Sequence, residues 1–313
     1  MSAGELSEAL RADHAARARA RSDPPFLALQ RVIVRMLFDP AFAMRVHDAP
    51  AEALAGLDLP APLVAQLRAN DRRLWSADRL RRSRALKVLM EEFRISTALV
   101  LLETRRLARL DAFFSTRHFH EAVQTRGYMA LAFADYLEDE VGRGELRRPE
   151  LPAVLAIEAG MARARRTWRE AHRGRRVASR QTIRPGLVVV PGVGTALVPG
   201  GTLDVIQHLE RYLFETGLIP ALALCDDAPR PEPLPALRPE APEAYVFEPD
   251  AAGQVKLSGI PRSYSRLIEA CSSPRIREDL ARELSGGDLS IDDVLEMAQS
   301  LVSAGILREE GMA

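Results

Sequence analysis

Residues 244–307 read AYVFEPDAAGQVKLSGIPRSYSRLIEACSSPRIREDLARELSGGDLSIDDVLEMAQSLVSAGIL, and this stretch decides the fold of the C-terminal part. Tyr245-Val246-Phe247-Glu248 and Gln254-Val255-Lys256-Leu257-Ser258 are strand signals around Pro249-Asp250-Ala251-Ala252-Gly253, a loop of hairpin length. Three helical patterns follow, in SYSRLIEACSS, PRIREDLAREL and SIDDVLEMAQSLVSAG. Leu267, Ile268, Ile276, Leu280, Leu284, Ile291, Val294, Leu295, Ala298, Leu301 and Val302 recur at helical spacing, which predicts a shared core. Ser290 with Asp293 resembles a capping box, with Asp where Glu or Gln is usual. Gly305 stops the last helix before a short strand at Ile306-Leu307. A hairpin, three helices and a closing strand predict a winged-helix module over 244–313. Such modules read DNA through a helix, bind peptides by adding a strand, or only mediate assembly, so the fold leaves the function open.

Upstream of this module, prolines at 229, 231, 233, 235, 239 and 242 favour an extended linker over 226–243. Before it, 183–225 carries short strand signals in RPGLVVVPGVGTALVPGG and a helix through VIQHLERYLFETG. Residues 26–182 predict a helical domain. It begins with Phe26, Leu29, Val32, Ile33, Met36 and Leu37 at helical spacing, and restarts where Asp39 and Pro40 supply an N-cap and a first-turn proline. From Ser76 to Phe114 there is no proline or glycine, which predicts one long helix or a kinked pair. Residues 1–25 form a basic arm. The fold class expected is therefore mainly α with a small α+β part: an N-terminal helical bundle followed by the winged-helix module.

At 313 residues the chain is long enough for about two domains of roughly 100–200 residues each. Its 43 basic and 43 acidic residues cancel, so only local charge can argue for a polyanionic partner. No stretch approaches the roughly 20 apolar residues of a membrane span and no apolar signal segment opens the chain, so the expected location is cytoplasmic, away from membranes. Cys225 and Cys271 share no metal-ligand spacing. His118 and His120 stand two apart, on different sides of a helix, so they do not converge on one metal there. HExxH, Walker, dinucleotide and GxSxG elements are missing, and no catalytic residue is expected. The densest charge lies between Arg163 and Arg184, where nine arginines accompany only Glu170. Arg163, Arg166, Arg169 and Arg173 make this either a solvated helix face or a docking surface for an acidic partner.

The order of parts, a helical body with LPAVLAIEAGMARARR at 151–166 in a late helix, then a strand-bearing segment, then a winged-helix end, resembles the partner subunits of multinuclear non-haem iron oxidative enzymes, and FDPAFAMRVHDAPAEALAGLDLPAPLVAQLRANDRRLW at 38–75 resembles short helical segments common in peptide natural-product proteins. That family includes the partners in methanobactin and 3-thiaglutamate biosynthesis. The resemblance implies an accessory subunit without its own cofactor, with iron on the partner enzyme. It would bind a ribosomally made, cysteine-containing precursor peptide and present the cysteine to that enzyme. Strand addition would place the peptide against Tyr245, Phe247, Lys256 and Leu257 on the hairpin and Asp293, Glu296, Met297 and Ser300 on the last helix. The alternative is a DNA-binding regulator. Asp292, Asp293 and Glu296 on the last helix argue against phosphate contact and nucleic acid.

Overall fold

The computed structural model describes residues 25–57, 59–76, 78, 80–125, 127–174, 186–215, 231, 233–286 and 289–310. The basic arm, Cys225 and Arg175, Arg176, Arg180 and Arg184 lie outside the described residues. The fold is mainly α with a small antiparallel β part. The first helices are α1 (Pro25–Phe38), α2 (Pro40–Asp48), α3 (Pro50–Ala53), α4 (Ala61–Ala69), α5 (Arg81–Glu92), α6 (Arg94–Thr104), α7 (Leu107–Asp111) and α8 (Arg117–Thr125). Then come α9 (Met129–Gly142), α10 (Leu151–Gly174), β1 (Gly186–Val189), β2 (Gly194–Gly200) and α11 (Thr202–Glu215). The rest is β3 (Arg238–Pro249), β4 (Val255–Ile260), α12 (Arg262–Ala270), α13 (Arg277–Leu284), α14 (Ile291–Ser303) and β5 (Leu307–Glu310). The chain divides into two compact units, one of Met1–Ala85 with Phe114–Gly127, the other of Leu86–Phe113 with Tyr128–Ala313. The single helical domain expected over 26–182 is thus shared between two units.

In the first unit, Val32, Met36, Phe42, Ala43, Val46, Leu54 and Leu67 form the core. The rings of Phe38, Phe114 and Phe119 meet pairwise with centroids 5.1–5.3 Å apart. The boundary read at Asp39 is built as its chemistry requires: the carboxylate accepts from the Phe42 amide at 3.0 Å and Pro40 opens α2. The end of α1 is closed from outside, because Arg81 and Arg82 donate to the carbonyls of Leu37 and Phe38.

The stretch expected as one helix or a kinked pair is three helices and a 3-10 turn. Phe93 and Arg105, the latter left-handed at φ 55°, interrupt it. The first break has its cause 63 residues further on. Glu158 of α10 accepts from the amides of Ile95 at 2.8 Å and Ser96 at 2.9 Å, satisfying the first free N–H groups of α6. A carboxylate from elsewhere in the unit thus does what a proline or glycine would have signalled locally.

The second unit is organised on an antiparallel sheet of order β2-β3-β4. Helix α10 packs on one face, against all three strands, and α12 packs on the other, against β2 and β3. Gly160 lets α10 come close: a Cβ there would stand 2.3 Å from Phe247 Cε2. Beneath α12 lies the core of the helical trio, where Leu267, Ile268, Leu280, Val294, Ala298 and Leu301 meet Val246 of β3. Ile276 and Ile291, expected in that core, are about half exposed, because each stands at a helix entry rather than on its buried stripe. A second, two-stranded sheet joins β1 to β5, pairing Gly186 with Glu310 through Val189 with Leu307.

These pairings move two expected boundaries. The linker set at 226–243 ends earlier, since Arg238–Glu243 already belong to β3. Pro239 and Pro242 are tolerated because this half of β3 pairs only with β2; β4 joins from Ala244 onward. The module set at 244–313 likewise begins earlier, because β1 and β2 supply one strand to each of its sheets.

Candidate functional site

The side chains of β3 alternate between two occupied faces. Tyr245 and Phe247 turn toward α10 with Ala153, Ile157 and Ala164, while Val246 turns toward the helical trio. Tyr245 is 5% exposed and Phe247 1% exposed, so neither ring is available to a peptide, contrary to the expectation. A hairpin read alone suggests one face in solvent; here the 24-residue α10 covers that face. The Tyr245 hydroxyl donates to Glu243 at 2.6 Å, and burial raises its phenol far above the ordinary value.

On β4, Val255 and Leu257 turn toward α10 and are half-buried, whereas Lys256 and Ser258 on the opposite face are exposed. Ile260, on the same face as Lys256, packs at the fringe of the trio core. On α14, Met297 is buried in that core, which removes it from the expected contact surface. Glu296 and Ser300 are exposed. Asp293 is exposed too, but its carboxylate accepts from the Ser290 amide at 2.8 Å while its own amide donates to Ser290 Oγ, completing the capping box. The structure does not bring the two halves of the expected peptide site together: α14 packs on α13, β5 and α12, and β4 packs on β3 and α10.

The two outer strands of the three-stranded sheet differ. The β2 edge carries Pro199 and a register shift between Val198 and Gly200, both of which spoil an edge for further pairing. Strand β4 pairs with β3 without interruption from Val255 to Ile260, contains no proline, and has no second neighbour among the described residues. The turn preceding it is fixed by Asp250, whose Oδ1 accepts from the amides of Ala252 and Gln254, and by Gly253 at φ 79° against the Trp168 ring. Among the described residues the outer edge of β4 is therefore unpaired, and the turn that leads into it is fixed by hydrogen bonds.

Along α10, Arg163 and Arg169 are exposed. Arg166 pairs with Glu170 at 2.8 Å and lies 6.0 Å from the Tyr128 ring centroid, and Arg165 pairs with Glu92. The side chain of Arg173 lies outside the described residues. Near the end of α10, Trp168 and His172 stack at 4.1 Å on the wall of a cleft of about 640 Å³ that Val190, Asp250, Ile306 and Arg308 also line.

Of two buried ionisable groups, Glu158 escaped the sequence reading and His120 was weighed there only for metal binding. Glu158, buried, has its carboxyl pushed up to about 7 by burial, against the amides that favour its charge. In the first unit, His120 stands 3.7 Å from Asp39 with its Nε2 unpartnered, and burial, aided by Arg35, pulls it down to about 4. Cys271 is buried and its thiol is raised to about 11, which makes it a poor nucleophile. Among the described residues no group of three or more His, Cys, Asp or Glu is placed to hold a metal, and no helix is long and apolar enough to cross a membrane.

No family model, curated protein or solved structure matches this chain.

Proposed function

We propose that this protein is a non-catalytic subunit that receives an extended peptide along the β4 edge. On the resemblance noted in its sequence, that peptide is a ribosomally made, cysteine-containing precursor, and a multinuclear non-haem iron enzyme, working in the cytoplasm, is the partner to which the cysteine is presented. The observation that carries the reading is the uninterrupted, proline-free β4 edge beside a second edge blunted by Pro199. An added strand gains affinity from backbone hydrogen bonds and specificity from alternate side-chain positions. Lys256 and Ser258 offer those positions on one face. Leu257, half-buried toward α10, leaves only its margin for contact, and Tyr245 and Phe247 are buried on the neighbouring strand β3, while Met297 belongs to the core of the helical trio. Arg163 and Arg169 are left as the exposed members of the enzyme-docking surface. The regulator reading is weaker, since the exposed face of α14 carries Asp292, Asp293 and Glu296, which repel phosphate.

Co-expression with a candidate iron enzyme should give co-elution on size exclusion, and fluorescence anisotropy should show binding of a neighbouring-gene precursor peptide. Separate elution together with no peptide binding refutes the proposal.

A further inference from the structure

The cleft walled by Trp168 and His172 lies wholly within the second unit, and its volume of about 640 Å³ falls in the range of small-molecule sites, roughly 300–1,000 Å³. Its walls come from the last turns of α10, the β1–β2 turn, the β3–β4 turn and the α14–β5 turn. The His172 ring is fixed twice. It lies over Trp168, whose own ring is seated against the turn at Gly253, where a Cβ would stand 2.7 Å from Cζ3. Its Nδ1 is 2.8 Å from the Trp168 carbonyl, which can only accept, so Nδ1 carries the hydrogen and the neutral ring keeps Nε2 as an acceptor. His172 is exposed and lines the cleft, which gives the cleft an aromatic surface.

The charge on these walls is mainly negative. Glu248 is half-buried and has no hydrogen bond or ion pair among the described residues. Lys256 stands opposite it in the ladder, forms no ion pair with it and does not line the cleft. Asp250 commits Oδ1 to the amides of Ala252 and Gln254, and its Oδ2 accepts nothing among the described residues. Arg308 is the one guanidinium lining the cleft among the described residues, and Glu310 holds it. The backbone adds the same sign. Helix α14 ends at Ala304 and Gly305 on the wall, and α10 ends two residues after His172, so both helices bring their negative, carbonyl-bearing ends there. A carboxylate drawn partly out of water without a partner carries a cost that a bound cation removes.

We infer that this cleft is a site for a guanidinium group, laid on the His172 ring and paired with Glu248, and carried by an arginine side chain or a small arginine-like molecule. A guanidinium is planar, so it stacks on an aromatic ring, and its forked donors match a carboxylate; an ammonium does neither as well. The site stands independently of strand addition at β4.

The full chain is titrated with fluorescein-labelled Gly-Gly-Arg-Gly-Gly, and with the same peptide carrying lysine or citrulline in place of arginine, by fluorescence anisotropy. The arginine peptide should bind about fivefold or more tighter than the lysine peptide, and the citrulline peptide, alike in shape but uncharged, should not bind. Glu248→Gln should weaken the arginine peptide about tenfold with an unchanged urea midpoint, and His172→Ala should weaken it about threefold. Displacement by N-acetylargininamide at equal concentration assigns the site to a small molecule, and displacement only at about ten times that concentration or more assigns it to a peptide; either supports the inference. A lysine or citrulline peptide that binds as well as the arginine peptide overturns it, as does arginine binding undiminished in both variants, or no binding at all. Binding that arises only once Arg175 and Arg176 are replaced by Gln also overturns it, since the cleft would then serve the chain's own arginines.

Discussion

The two units bury ionisable groups of opposite sign, and the contrast shows how each is held. In the second unit Glu158 is an acid kept from water yet supplied with two backbone amides, so its charge is disfavoured by burial and only partly recovered. In the first unit His120 is a base kept from water beside both a carboxylate and two guanidinium groups, and burial again prevails. Both groups are steered toward neutrality, which pushes their pKa values in opposite directions. The consequence for stability is opposite as well. A carboxyl raised from 4.5 to about 7 contributes stability that is fully present below 4.5 and is lost as pH rises through 7. A histidine lowered from 6.5 to about 4 contributes stability present above 6.5 and lost as pH falls toward 4. Mild acid should favour the second unit and weaken the first.

The molecule supplies a reporter for each side of this contrast, because Trp75 lies in the first unit and Trp168 in the second. Single-tryptophan variants, Trp168→Phe and Trp75→Phe, therefore follow the two transitions separately by fluorescence in urea. The largest effect should come from Gly160→Val, which drives a side chain into the Phe247 ring. A loss of about 3 kcal/mol is expected in the Trp168 transition, with the Trp75 transition unmoved. Joint movement of both transitions would mean that the units unfold as one and would dissolve the comparison.

Glu158→Gln sharpens it. Wild-type stability of the second unit should fall by roughly 3 kcal/mol from this group as pH rises from 4.5 to 7, and the variant should lose that slope. A slope unchanged in the variant would assign the titration to another residue. His120→Phe should in turn flatten the acid loss of the first unit between pH 6.5 and 4, an effect of roughly 3 kcal/mol. The smallest effects belong to the caps. Asp39→Ala in the first unit and Ser290→Ala in the second should each lose about 1 kcal/mol. Only the former should also lower the His120 pKa further, since it removes the carboxylate that raises it; a proton NMR titration of the imidazole reads this directly.

Local chemistry was legible in the sequence, and tertiary chemistry was not. Asp39 with Pro40, Ser290 with Asp293, and the β3–β4 turn are set by residues a few positions apart, so their pattern can be read along the chain. The break at Phe93 depends on Glu158, and the fate of Tyr245 and Phe247 depends on α10, so neither leaves a mark within its own stretch. For the candidate site, the strand at Lys256 and Leu257 could be read, but its neighbours could not.

The hold of Glu158 on the start of α6 bears on the order in which the protein takes shape. During synthesis, residues 81–104 leave the ribosome before α10 exists, so the carboxylate that divides them is made only later. Until then the first amides of α6 lack the carboxylate that accepts from them. The break between α5 and α6, as Glu158 holds it, therefore has its full set of hydrogen bonds only once α10 has been made.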